Sequence, residues 1–382
     1  MEKYEQLRNR LLELFFFNGR IASHIYLGND GKKIKFADQT IYLGQALMVF
    51  SSEVAVHAKL GIKESNAKSI LHELLSCFEE LEAKGNARYS PSGDSPGFFV
   101  RDDISGASDP RLHSKFVEVE SDWQFPEKEN DSPSTDQIIG LMSGLLSVVR
   151  FSDDSSLSIK ARAISSRLFD YARRNDFILL LPNGKRTARG WDCRGFASLL
   201  HGLNMAITGL DHFDSCFFTP FPALTIRQSL KSLAAFWDSP ITTQAILALG
   251  SQELKIPLTD ISLPRKSYVL HMLLMLLASS GVWSQSDVEI LAISSNHHLA
   301  ALLYSAYHHT PPIGILRSYI EEILTSCPLD GPSQNVSSNS GWQHDNRWVR
   351  CSDIYEPSEG DHCYNGLDWL LLRNVSILAY AS

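Results

Sequence analysis

Apolar residues recur at three- and four-residue spacing along most of the chain, in the windows 4–17, 40–60, 64–84, 134–150, 156–175, 192–210, 223–237, 242–252, 265–281, 286–307, 313–326 and 364–381. That period marks helices with one face turned to a core. Strand-like alternation is short and local, at 33–36 and 98–100. The pattern predicts an all-α protein with a few hairpins in its loops. The long connections are 18–39, 85–133, 176–191 and 327–363, and they follow the first, third, fifth and eleventh windows. In an up-and-down array, odd-numbered connections all fall at one end. Long irregular loops in a compact domain usually carry function, so the elaborated rim is the expected place for a site.

A weak internal repeat supports an array. "DQTIYLGQALMV" from Asp38 and "DQIIGLMSGLLSV" from Asp136 share D-Q-x-I and a leucine nine residues after the aspartate, and each opens a helix after a long loop. "WDCRGFASLLHGLNMAI" from Trp191 and "CYNGLDWLLLRNVSIL" from Cys363 occupy equivalent places. Helical hairpins repeated around a common axis give a toroid. Glycine inside a helix costs about 1 kcal/mol relative to alanine, so the glycines in these windows point to close helix packing or close ligand approach. The expected domain is a single one spanning residues 1–382.

Six helical hairpins closed into a ring, with inner helices entered from long loops, resemble the (α/α)6 toroid of the six-hairpin glycosidase-like proteins. More narrowly, "FFVRDDI" from Phe98, "STDQIIGLMSGL" from Ser134, "YARRNDFILLLPNGKRTARGWD" from Tyr171 and "YNGLDWLLLRNVSIL" from Tyr364 are similar, in order and spacing, to a set of bacterial proteins within that group. The resemblance covers most of the chain between Phe98 and Leu378. It implies the toroid fold and carries no catalytic residue with it. The chain departs from the pattern after Thr187, where Ala188-Arg189-Gly190-Trp191 replaces a tryptophan expected closer to the threonine.

Composition narrows the partners. The 382 residues are 44% hydrophobic and 20% charged, with a formal net charge of -8 and no basic run, which argues against nucleic acid and anionic membrane. The segment 268–281 is too short to span a bilayer. The N-terminal window reads as an amphipathic helix and not a signal peptide. Six cysteines without a C-x-x-C pair suggest reduced thiols. A cytoplasmic protein is therefore expected.

Two groups of carboxylates stand out. Ser134 or Thr135 is the natural cap of its helix, which puts Asp136 in the first turn, where the helix dipole holds a carboxylate ionised. Asp136 is thus either a helix-start residue or a general base, nucleophile or anchor, with Gln137 facing the opening as a sugar-type partner. In Arg101-Asp102-Asp103, adjacent carboxylates beside an arginine form either a turn salt bridge or a pair with separated pKa values, as glycosidic acid/base chemistry requires. Aromatics concentrate in the same loops at Trp123, Trp191, Trp342, Trp348 and Tyr364, either as stacking platforms or as anchors that pin the loops. "GWQHDNRW" from Gly341 adds His344. Asp192, Asn365 and Asp368 stand at the two later helix starts. His297, His298, His308 and His309 lack a metal-ligand spacing, and no metal or other cofactor is expected. No G-x-S-x-G, Walker or dinucleotide glycine pattern occurs.

The leading expectation is a carbohydrate-active enzyme, a glycoside hydrolase or lyase, with Asp136 and one of Asp102 or Asp103 as its carboxylates. Arg101, Gln137, Trp191, Asp192, His344, Trp348, Asn365 and Asp368 would contact an oligosaccharide or other small-molecule substrate. The alternatives are a non-catalytic toroid that binds a ligand or partner protein, and a toroid enzyme acting on a non-sugar small molecule.

Overall fold

The computed structural model describes residues 2–28, 31–36, 38–62, 66–90, 95–104, 109–121, 132–187, 197–209, 285–295, 298–326 and 361–380. These are mostly helical. The sequence windows 223–237, 242–252 and 265–281 lie outside them.

Helix α1 (Glu2–Arg10) ends earlier than its window predicts. It passes into one turn of π-helix at Leu11–Phe15 and then into two short paired strands, β1 (Phe16–Phe17) and β2 (Arg20–Ile21). Phe15, Phe16 and Phe17 are all buried, which one stripe of a helix cannot achieve for three successive residues. Gly19, at φ +77, makes the turn between the strands, and a Cβ there would sit 2.7 Å from the Glu73 carbonyl oxygen.

Strands β3 (His24–Gly28) and β4 (Gly31–Lys35) form an antiparallel hairpin. Strand β5 (Glu118–Glu120) adds parallel to β4, and β6 (Asp361–Tyr364) adds antiparallel to β3, in the order β5-β4-β3-β6. The sheet is therefore assembled from three of the long connections. The alternation at 33–36 overlaps β4, whereas 98–100 forms no strand. Phe98, Phe99 and Val100 are all fully buried, so this segment threads the core instead of edging a sheet.

The remaining helices are α2 (Gln39–Leu60), α3 (Ala67–Tyr89), α4 (Pro110–Lys115), α5 (Thr135–Phe151), α6 (Ser155–Arg174), α7 (Ala197–Thr208), α8 (Gln285–Ser295), α9 (His298–His308), α10 (Arg317–Ser326) and α11 (Leu367–Tyr380). The short α4 lies inside what the pattern reads as loop. The window 286–307 resolves into two helices, α8 and α9, that pack on each other. No glycine or proline separates them; the junction falls in the polar run Ser294–His298, which a single window over 286–307 overlooks.

Helices α2, α9 and α11 are buried on almost every side, whereas α3 and α6 bury one face. Side by side, the neighbours run α9, α11, α2, α5, α7, with α3 packed on α2 and α6 on α5. Although α9 stands three places from α5 in that row, Tyr307 at the end of α9 stacks on Phe151 at the end of α5, with ring centroids 5.0 Å apart.

Helices α2 and α5 run parallel and touch backbone to backbone. A Cβ on Gly44 would lie 2.3 Å from the Gly140 carbonyl oxygen, and one on Gly144 would lie 2.5 Å from that of Gly44. Further along, Ser51 Oγ is 2.8 Å from Ser147 Oγ, a pair 96 residues apart. Gly44 and Gly140 share that interval, as do the caps Asp38 and Ser134. The D-Q-x-I echo has an interval of 98. The structural repeat is thus two residues out of step with the sequence echo. On the opposite side of α2, Glu53 accepts hydrogen bonds from Tyr4 (2.7 Å) and Arg8 (2.8 and 2.9 Å), while Asn374 of α11 donates to Tyr4 and to the Val49 carbonyl. Burial and the adjacent Glu53 charge push the Tyr4 hydroxyl pKa far up, so it stays a donor. Among the described residues, no helix is long and apolar enough to cross a membrane.

Candidate functional site at the starts of helices α2 and α5

The two helix starts are joined by one carboxylate. Asp38 caps α2 with its backbone in the left-handed region at φ 62, and its carbonyl accepts from Ile41 N–H at 2.9 Å. Its side chain, 43% exposed, pairs with the Arg101 guanidinium, which is 4% exposed. It also accepts from Gln137 Nε2 at 3.4 Å. The segment carrying Arg101-Asp102-Asp103 and the segment carrying Ser134-Thr135-Asp136-Gln137 therefore converge on the start of α2. The Arg101 carbonyl adds a backbone link by accepting from Thr40 N–H at 3.3 Å.

Behind Asp38 lies a buried polar layer. Gln39 Oε1 accepts from the Asp103 N–H at 3.2 Å, and Gln39 Nε2 donates to Cys77 Sγ at 3.5 Å. Burial pushes the Cys77 thiol up to about 12, so it is protonated and no nucleophile. The Asp103 carbonyl accepts from Arg20 Nε at 2.8 Å, and Arg20 Nη2 continues to Glu80 at 2.7 Å. Lys84, from α3, pairs with the Asp103 carboxylate. Asp102 and Asp103 are both fully buried. The arginine beside them reaches across to Asp38, and the charge that meets Asp103 comes from another helix.

Gln137 is also fully buried, and both ends of its amide are engaged. Its Oε1 accepts from the Ser134 N–H at 3.2 Å, completing a capping box with the Ser134 side chain, and its Nε2 meets Asp38. In this conformation it braces the helix start. The backbone of Asp136 lies in the first turn of α5, but its side chain is outside the described set. Asn365 and Asp368 sit at the start of α11, both buried. Asn365 donates to the Ala22 carbonyl at 3.1 Å and accepts from Leu367 N–H at 3.2 Å, while Asp368 Oδ1 accepts from Trp369 N–H at 2.9 Å. Trp123, Trp191, Asp192, Trp342, His344 and Trp348 lie outside the described residues. Tyr364 ends β6 opposite His24.

Sequence reasoning did not single out Asp38, Gln39, Lys84 or Arg20 as members of this group. The D-Q-x-I echo was the available signal for the first two; nothing local distinguishes Lys84 or Arg20. Among the described residues, no group of three or more His, Cys, Asp or Glu side chains could hold a metal ion. His298 and His308 stand at opposite ends of α9. Burial lowers His298 to about 4, and its ring packs edge-on against Tyr319 at 5.1 Å.

What the arrangement offers a ligand is a solvent-reaching carboxylate at the positive ends of two parallel helices, backed by a buried lattice of ion pairs and amides. Comparison with protein-family models, with curated proteins and with solved structures returns no match, so the site is read on its geometry.

Proposed function

We propose that the chain closes into an (α/α)6 toroid and that the rim at the starts of its inner helices binds and cleaves an oligosaccharide or glycan by carboxylate acid/base chemistry. The alternation of α2, α5, α9 and α11, mostly buried, with the one-sided α1, α3, α6 and α10 supports the toroid, as does the Phe151–Tyr307 contact between ends of helices three places apart. The observation that carries the functional reading is the Asp38 junction, which gathers the Arg101–Asp103 segment and the start of α5 at one place. A glycosidase needs two carboxyl groups about 5–10 Å apart. In this reading Asp136 is the ionised base or nucleophile. Asp38 takes the second position, because Asp102 and Asp103 are fully buried and Asp103 is committed to Lys84. Trp191, Asp192, His344 and Trp348 would supply sugar contacts from the loops.

The test is a glycoside and glycan turnover screen on wild type, Asp136→Asn, Asp38→Asn and Asp103→Asn. Asp136→Asn and Asp38→Asn should each lose about 100-fold or more in kcat, with Asp103→Asn losing chiefly stability. Equal turnover in all four proteins rejects the assignment. The full burial of Asp102 and Asp103 favours a second reading, a toroid that binds sugar without cleaving it. Calorimetric binding without turnover of any bound glycan would select that one.

A further inference from the structure

Helix α2 carries a buried polar side chain on the face that meets α11. Gln45 stands four and seven residues ahead of Val49 and Ser52, which puts all three on one side of the helix, about 10 Å along the axis from the Asp38 cap. It is 2% exposed, and neither Nε2 nor Oε1 has a hydrogen-bond partner. Other buried amides of the region behave differently. Gln39, Gln137 and Asn365 each engage both ends. One turn beyond Gln45, the Val49 carbonyl and Ser52 Oγ accept from Asn374 Nδ2 of α11, so the lower part of the α2–α11 seam is fully bonded. An amide with both ends unmet above that seam lacks the structural role its neighbours have, and buried polar groups without partners are rare in folded proteins.

We propose that Gln45 is a specificity-determining residue of the same site, one that pairs with two adjacent hydroxyls of a neutral sugar ring seated between α2 and α11 below Asp38. This rests on the carbohydrate reading above. A primary amide presents a donor and an acceptor side by side, which matches a vicinal diol, each hydroxyl of which both donates and accepts. A uronate carboxylate, an acceptor at both oxygens, would set an oxygen against Gln45 Oε1 and is disfavoured.

The experiment uses the full chain with maltotriose, cellotriose and trigalacturonate as probes, read by calorimetry and thermal shift. Gln45→Leu removes the amide at similar volume, and Gln45→Met is the second variant should the leucine disturb folding. Without sugar, either variant should match or exceed the wild-type Tm, by about 2 °C, because an unmet buried amide has been replaced by an apolar group. With sugar, binding of the neutral trimer that wild type prefers should weaken about tenfold or more, and its thermal shift should shrink accordingly. Equal neutral-sugar affinity in wild type and both variants overturns the role of Gln45 while leaving the carbohydrate reading intact. Tighter wild-type binding of trigalacturonate than of either neutral trimer overturns the neutral-ring assignment. Failure of wild type to bind any probe, together with no turnover and no binding in the wider screen, overturns both.

Discussion

The starts of α2 and α5 share D-Q-x-I yet are built differently. In α5 the cap is Ser134, so Asp136 and Gln137 fall at the second and third helical positions and Gln137 closes a capping box. In α2 the aspartate itself is the cap, held at φ 62, and Gln39 falls at the first helical position, turned toward Cys77 and Asp103. The positions that truly correspond are those 96 residues apart: the caps, Gly44 with Gly140, and Ser51 with Ser147. A sequence echo thus marks where two helices begin without marking which residues do the same job.

The largest test of that register is at the glycines. Gly44→Ala should fail to fold or lose more than about 4 kcal/mol, since the new methyl would meet backbone at 2.3 Å in a helix pair that cannot separate locally. Gly140→Ala, at the equivalent position, meets its nearest atom at 3.6 Å and should stay within about 1 kcal/mol of wild type. Urea unfolding followed by circular dichroism measures both, and equal losses would show that the α2–α5 approach is not set at Gly44.

Next in size is the layer behind the α2 start. Lys84→Met leaves Asp103 buried without its cation and should cost about 3 kcal/mol. Adding Asp103→Asn should recover part of the loss in a double-mutant cycle; additive losses would mean the pair contributes nothing as a pair. Acid titration of either helix start reads cleanly only once another group has been removed. His298 is lowered by burial to about 4 from an unfolded value near 6.5. Between those values the unfolded chain binds the extra proton, so stability is complete above about pH 6.5 and falls toward pH 4, by about 2 kcal/mol after allowance for partial exposure. His298→Phe should flatten the stability profile in that window, and an unchanged slope would place the titrating group elsewhere. The smallest effects belong to the caps. Ser134→Ala should cost about 1 kcal/mol through loss of the capping box. Asp38→Asn should cost about 0.5 kcal/mol, because asparagine tolerates the left-handed backbone, keeps an acceptor for Arg101 and replaces a carboxylate that water already screens. A larger loss at Asp38 than at Ser134 in thermal unfolding would reverse that ranking of the two starts.

The mostly helical class was legible because it rests on a local signal, a 3.6-residue period. The break at Leu11–Phe15 was not, since apolar residues continue through it, and the one between α8 and α9 was passed over although the polar run Ser294–His298 lies there. The four-stranded sheet joins residues from three separate connections, which no window of one connection can display. At the candidate site, the pattern singled out Arg101, Asp103 and Gln137, and their partners include Asp38, Lys84, Gln39 and Ser134. Of these only Ser134 is a near neighbour of its partner in the chain. Charge pairing across segments depends on packing, and so the Arg101–Asp38 pair could not be read from either stretch alone.

The pairing of β3 with β6 has a consequence for how the molecule must be made. His24 lies opposite Tyr364, Asn365 bonds to Ala22 across 343 residues, and Asn374 bonds to Tyr4 across 370. These bonds cannot form until the residues up to Asn374 have left the ribosome, so α1 and β3 wait for their partners while more than about 300 intervening residues are made. A circular permutant that links the end of α11 to the start of α1 by a short flexible segment and opens the chain at the exposed turn Asn183–Gly184 would bring these now distant partners close together in sequence, so that they could pair as soon as the linker emerged.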